Sequence, residues 1–273
     1  MKANKRYKDS LFRNIFNDKE KLLELYNAIE GTEYQDAQTI TINTLEDVLY
    51  MGMKNDISFI IDDTLVLIEH QSTINENMSL RMGMYLFRIY EKITNADPMA
   101  KYGKRSIEIP DPKLIVLYNG KEDYPAEKIL CLSALFKKKN LKKKIIDLEV
   151  KILNINKGCN LELESLSKTL ATYAAFIADV RGYSKKFSLE DAIELVVNYY
   201  KNNDVLGEYF KQKTSEVMSM LTTDFDLDEY KKVARWEGRE EGMEKVRNYV
   251  LELIEQGLSQ EEIKKRIEKM SLQ

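Results

Sequence analysis

The residues best placed to do chemistry in this chain are Asp56, Glu69 and Gln71, in the stretch NDISFIIDDTLVLIEHQST at 55–73. Two β-rich runs, ISFII and TLVLI, flank the dipeptide Asp62-Asp63, the pattern of a tight β-hairpin. With those two aspartates as the loop, the register sets Asp56 opposite Glu69 on one face of the sheet. Cross-strand partners have Cβ atoms roughly 4.5–5.5 Å apart, so two carboxylates there repel unless something neutralises them. A hard divalent cation such as Mg²⁺ would do so, with Mn²⁺ as its substitute. Strand alternation puts Gln71 on the Glu69 face and turns the His70 side chain away, leaving the His70 backbone carbonyl as a further metal-facing oxygen. The apolar run LVLIEHQ that holds Glu69 suits a buried strand, where a charge needs a partner or a metal. A loop one residue longer or shorter would move Asp56 to the opposite face, so the inference depends on the register.

Around the hairpin the periodicities alternate between strand and helix. Residues 7–29 carry apolar side chains at helical spacing and predict an opening helix that ends near Gly31. TITINT at 39–44 predicts a strand, and MSLRMGMYLFRIYEKIT at 78–94 an amphipathic helix covering one sheet face. Pro110 and Pro112 punctuate a loop before the strand KLIVLYNG, which Asn119-Gly120 closes, and IIDLEVKIL at 145–153 predicts a further strand. From about 160 the pattern is helical to the end. Strands flanked by helices and followed by a helical tail predict an α/β fold.

The hairpin and the helix after it, NDISFII…LVLIEHQSTIN…NMSLRMGMYLFRIYEKI, resemble the bacterial family of recombination-promoting nucleases and putative transposases, in the PD-(D/E)XK superfamily. YKDSLFRNIF, KLIVLYNGK and WEGREEGMEK fit the same resemblance, which runs from about residue 7 to the C-terminus. It implies a restriction-endonuclease-like mixed sheet flanked by helices: a nuclease-like domain over 7–225 (core 7–155, helical continuation 156–225) and a helical extension over 226–273. It further implies Mg²⁺-dependent hydrolysis of DNA phosphodiester bonds linked to recombination or transposition. Asp56 and Glu69 match the two acidic motif positions, and Gln71 stands where most superfamily members carry Lys. Having no charge, Gln71 cannot take a proton from water, but it can orient the water or bind the scissile phosphate. The alternative is a weak or inactive nuclease-fold protein that binds DNA or a partner through its helical tail.

Other residues carry two readings each. Asp9, within YKDSLF, is either a helix-start acid favoured by the macrodipole or an extra acid near the metal, as the resemblance allows. Glu46 and Asp47 read better as exposed turn acids. The lysine run Lys137, Lys138, Lys139, Lys142, Lys143 and Lys144 is either a solvated loop or a phosphate-contacting patch, the clearest one in a chain of net charge −3. Arg81 and Arg88 share a helix face and are phosphate contacts, surface residues or partners of buried acids. The lone histidine, His70, excludes zinc sites built on several His. Cys131 and Cys159 match no metal or disulfide spacing. No apolar run approaches the ~20 residues of a membrane span, and MKANKRYKDS lacks a signal-peptide core, so a cytoplasmic protein is expected. Val246, Tyr249, Val250, Leu253, Ile254, Leu258, Ile263 and Ile267 form a stripe too long for one short helical pair to bury, which predicts a homodimer through the C-terminal helices.

Overall fold

The computed structural model describes residues 7–42, 56–95, 103–104, 106–137, 145–203, 205–215 and 217–218. Glu46, Asp47, five of the six lysines of the run (Lys138, Lys139, Lys142, Lys143, Lys144) and the expected extension over 226–273 lie outside the described residues.

The opening segment is two helices, not the single one its periodicity predicts: α1 (Tyr7–Phe16) and α2 (Lys19–Glu30). Asp18 makes the break. Its backbone is extended, and its carboxylate accepts the amides of Glu20 and Lys21 at 3.0 and 3.1 Å, so the chain caps a new helix instead of continuing the old one. Gly31, at φ +66°, closes α2 in the left-handed conformation that glycine adopts without cost. A short 3-10 turn then feeds β1 (Ile40–Ile42), which starts one residue later than expected.

Six strands form one mixed sheet in the order β1-β2-β3-β4-β6-β5. The hairpin is β2 (Ile57–Ile61) and β3 (Thr64–Gln71), in the predicted register with Ile57 opposite Ile68 and Ile61 opposite Thr64. Asp62 takes the turn's positive φ of 49°, tolerable for Asp, and its carboxylate accepts the Tyr34 hydroxyl at 2.7 Å. The helix α3 (Met78–Asn95) returns the chain to β4 (Asp111–Tyr118), which runs parallel to β3. Pro112 belongs to the strand rather than to the loop before it. There β4 pairs only with β3, because pairing to β6 (Glu149–Asn154) begins at Ile115, so the missing amide leaves no gap in the ladder.

Two differences lie at the far edge. β5 (Glu127–Cys131), an edge strand antiparallel to β6, has no predicted counterpart; only Leu130 of its five residues is buried, so it carries almost no apolar signal. β6 starts at Glu149, later than the apolar run suggests, because Asp147 turns inward to accept the Ser133 amide at 2.9 Å and hydroxyl at 2.8 Å, leaving Ile145 exposed.

The sheet separates two apolar layers by residue parity. Val66 and Ile68 face a large core built with α1, α2, α4 (Leu161–Leu166), α5 (Lys168–Tyr183), α6 (Leu189–Tyr200) and α7 (Gly207–Gln212). Leu65 and Leu67 face a smaller one under Met82, Tyr85, Leu86 and Ile89 of α3. The expected α/β class, a mixed sheet flanked by helices, is thus what forms.

One long-range polar joint locks the larger layer. The Glu24 carboxylate of α2 accepts the Ser167 hydroxyl at 2.8 Å and, at the start of α5, the Thr169 amide at 2.9 Å and hydroxyl at 2.7 Å. Charge-assisted hydrogen bonds are worth about 1.5–3 kcal/mol each, though not additively. Glu24→Ala should therefore lower unfolding stability by about 2–3 kcal/mol in urea titrations without changing the secondary structure seen by circular dichroism.

Candidate metal centre

The acidic pair lies at the end of the sheet where β2 begins, at Ile57, and β3 runs on past it to Gln71. Carrying the register one step past Ile57 and Ile68 sets Asp56 opposite Glu69, as the sequence predicts. By strand alternation Glu69 emerges on the α3 side, with Leu65 and Leu67, and His70 on the α1–α5 side, with Val66 and Ile68.

Both carboxylates are largely removed from water: the Asp56 side chain is 15% exposed and that of Glu69 9%. Asp56 bridges the two sides of the strand end. Its Oδ2 accepts the His70 amide at 2.8 Å, and its Oδ1 lies 3.6 Å from Arg13 Nε on α1. Glu69 Oε1 accepts Arg81 Nη2 at 3.0 Å, and the same nitrogen donates to the Tyr85 hydroxyl. Glu69 Oε2 is buried and, among the described residues, has no hydrogen-bond partner. Burial, and then the neighbouring charge of Asp56, push the Glu69 carboxyl up to about 8, with Arg81 pulling the other way. Burial also raises Asp56, against the His70 amide and Arg13. Each acid has one arginine beside it, so the charges balance in number, and what remains unmet among the described residues is the Glu69 Oε2 acceptor.

The His70 ring is held rather than exposed. Its Nδ1 meets Asp9 Oδ1 at 2.7 Å, its Nε2 meets the Tyr173 hydroxyl at 2.9 Å, and it stacks on Phe12 at 5.1 Å between ring centroids. The chain Asp9–His70–Tyr173 thereby ties the end of β3 to α1 and α5. Since the His70 amide points at Asp56, its carbonyl points to the same strand edge.

The remaining candidates separate clearly. Gln71 ends β3, half-buried, and its carbonyl accepts the Asn119 amide at 2.8 Å. Of the readings open for Arg81, the ion pair with Glu69 is the one that forms. Arg88 is half-buried with Nη1 unpartnered among the described residues, and Lys137 is exposed. Cys131 and Cys159 are free thiols. Arg13 and Tyr173 escaped sequence reasoning. Arg13 left a trace, one helical turn after Asp9; Tyr173, 103 residues from His70, left none.

Among the described residues no three His, Cys, Asp or Glu side chains converge to hold a metal ion. The oxygens that fit one are two carboxylates and a carbonyl: Asp56, Glu69 and the His70 backbone. This hard, all-oxygen set suits Mg²⁺ or Mn²⁺ completed by water, and the orphaned Glu69 Oε2 is the acceptor such an ion would satisfy. Asp9 spends one oxygen on His70, and its charge reinforces the upward pressure on Asp56 and Glu69.

The raised carboxyl has a thermodynamic consequence in metal-free protein. Because the folded state binds the Glu69 proton more tightly than the unfolded chain, that contribution to stability is present below the unfolded value and is lost as pH rises toward 8. In EDTA the melting temperature should fall between pH 5 and 8.5, and Glu69→Gln should recover roughly 5 °C of that fall. Parallel pH curves for the two proteins would contradict a buried, metal-free Glu69 carboxyl.

Among the described residues no helix is long and apolar enough to cross a membrane. Comparison with curated proteins and with solved structures returns no match. Residues 7–207, from the first residue of α1 to the first of α7, match the family described as "Putative transposase, YhgA-like". With the acidic pair at the end of a central strand of a mixed sheet, and most of its length inside that match, the chain belongs to the YhgA-like family, a transposase-like family of PD-(D/E)XK type.

Proposed function

We propose that this protein is a metal-dependent DNA endonuclease that hydrolyses phosphodiester bonds in recombination or transposition. The observation that carries the reading is the buried, unpartnered Glu69 Oε2 set against Asp56 at the end of β3. The family's transposase description points to DNA as the substrate.

Asp56, Glu69 and the His70 carbonyl would hold the cation. A bound Mg²⁺ supplies polarisation of a phosphoryl oxygen and a lowered pKa for coordinated water. The chain's own residues do the rest. Arg13 and Arg81 favour the ionised, ligating form of the two acids. The Asp9–His70–Tyr173 chain fixes the strand end, so that the ligands need not reorganise. Gln71, two residues beyond Glu69 on the same face, offers a neutral amide to orient the attacking water or the scissile phosphate. A second reading, a nuclease fold that binds DNA or a partner while cutting weakly, draws on Arg81, which already neutralises one Glu69 oxygen.

Incubating the full chain with supercoiled plasmid and Mg²⁺, beside an EDTA control, separates the two readings. We expect metal-dependent nicking that Asp56→Asn and Glu69→Gln each reduce roughly a hundredfold or more, since even outer-shell partners of metal ligands cost 10–100-fold. Both variants should keep or gain stability, because each relieves like-charge repulsion while Asn still accepts the His70 amide. Folded variants that cut at the wild-type rate would remove these residues from the site.

Gln71 has its own test. Gln71→Lys should retain or raise Mg²⁺-dependent cleavage, because a cation there stabilises charge on the pentavalent phosphate, whereas Gln71→Ala should lower it. Equal rates in all three proteins would deny Gln71 a part in the chemistry.

A further inference from the structure

Beyond Gln71, at the end of the neighbouring strand, cations gather with no carboxylate in ion-pair contact among the described residues. Asn119 follows β4, and its amide bonds to the Gln71 carbonyl at 2.8 Å. The Asn119 carbonyl receives Lys8 Nζ at 3.0 Å and Arg181 Nη2 at 2.6 Å, and the same guanidinium nitrogen reaches Asn119 Oδ1 at 2.7 Å. Arg181 Nη1 donates to Asn156 Oδ1 at 2.7 Å. Lys121 stands two residues after Asn119, in a turn pinned by the Tyr118 hydroxyl bond to the Glu122 carbonyl at 2.9 Å. Arg181 and Lys121 are both close enough for their charges to act on the Lys8 ammonium.

Among the described residues, no carboxylate forms a salt bridge with Lys8, Lys121 or Arg181. Asp9, the acid that acts on Lys8, has one oxygen committed to His70. The acceptors present are neutral amide oxygens, and they do not suffice: Asn119 Nδ2 and Arg181 Nε are buried donors with no acceptor among the described residues. Three cations repelling one another beside unmet donors, in a chain of net charge −3, describe a place for an oxyanion.

We propose that Lys8, Lys121 and Arg181, gathered around Asn119, bind a phosphate of the nucleic-acid backbone a few nucleotides from the one at Asp56 and Glu69. Glu69 is level with Val116 of the neighbouring strand, and Asn119 lies three residues beyond it. At about 3.3 Å per residue along the strand and about 4.8 Å across, the two sites are roughly 11 Å apart, about three steps of the ~3.4 Å charge spacing along one strand of duplex. The nucleic-acid source rests on the endonuclease reading; the oxyanion chemistry does not. Occupancy here would set the register of the substrate strand against Gln71.

The test measures binding, not cutting. The full chain is titrated against a fluorescein-labelled duplex in EDTA over a salt series, so that a protein without nuclease activity still answers. One phosphate contact contributes about 0.9 to the slope of log affinity against log salt, hence roughly eightfold in affinity at ~0.1 M salt. Lys121→Gln, at an exposed position that cannot upset the core, should weaken binding by about that factor and lower the slope by about 1. Lys8→Gln should do the same, and Arg181→Lys should weaken binding less. Lys92→Gln, about 21 Å along α3 from its first residue, should change nothing. Thermal shifts with inorganic phosphate provide the second arm. Protection by millimolar phosphate that Lys121→Gln removes, with duplex affinity unchanged, supports the oxyanion site but assigns it to free phosphate. Wild-type duplex affinity, slope and phosphate response in both Lys121→Gln and Lys8→Gln would overturn the proposal.

Discussion

The pairing of β2 with β3 is the constraint on which the rest of this site depends. A hairpin register has period two, so a slip of one residue exchanges the sheet faces for every side chain on the slipped strand. Here the register sends Val66 and Ile68 into the larger core, Leu65 and Leu67 under α3, and Asp56 to the level of Glu69. Several independent devices hold it. Asp62 accepts the left-handed turn and anchors Tyr34, the β3–β4 ladder fixes β3 from the other side, and the His70 ring is clamped between Asp9 and Tyr173. The apolar burial that stabilises the sheet therefore also sets the spacing of the acids. Slipping the strand to relieve their repulsion would send Val66 and Ile68 into the α3 layer and Leu65 and Leu67 into the larger core, where neither pair fits its neighbours.

That coupling explains how an unfavourable acidic pair persists. Desolvation is the largest pressure on both Asp56 and Glu69, and it acts against their charged forms. Arg13, Arg81 and the His70 amide offset it in part, each from a different element: α1, α3 and β3. The compensation is incomplete at one atom, Glu69 Oε2. An acidic site satisfied wholly by its own arginines would be a structural ion-pair network; one with a leftover buried oxygen retains an affinity for something further.

Much of this was legible in the sequence, and the reason is locality. The hairpin register, α3, β4 and the Gly31 stop are written in runs of residues that meet their own neighbours. The opening segment misled because its apolar spacing continues across Asp18, whose capping bonds end one helix phase and begin another. β5 was invisible because an edge strand buries one side chain and exposes Ile129. Arg81 and Asp9 could be named as candidates, but not their partners. The cluster around Asn119 was beyond reach for the same reason: Lys8 is 111 residues from Asn119 and Arg181 is 62 away, so no spacing or period connects them.

The position of that cluster also eases a conflict posed by composition. A chain of net charge −3 gains nothing from its overall field on approaching nucleic acid, since phosphate binding is driven by released counterions and local cations. The fold concentrates Lys8, Arg181 and Lys121 at the end of β4, one strand away from the acids at the end of β3. Negative and positive groups thus both lie toward the C-terminal ends of the neighbouring parallel strands β3 and β4. On the proposed reading, a polyanion approaching that end of the sheet would be held by the cations and meet the carboxylates only where a divalent ion mediates. Such an arrangement would, on the same reading, restrict close approach of a scissile phosphate to the metal-loaded site and reconcile the weak average charge of the chain with local contact to nucleic acid.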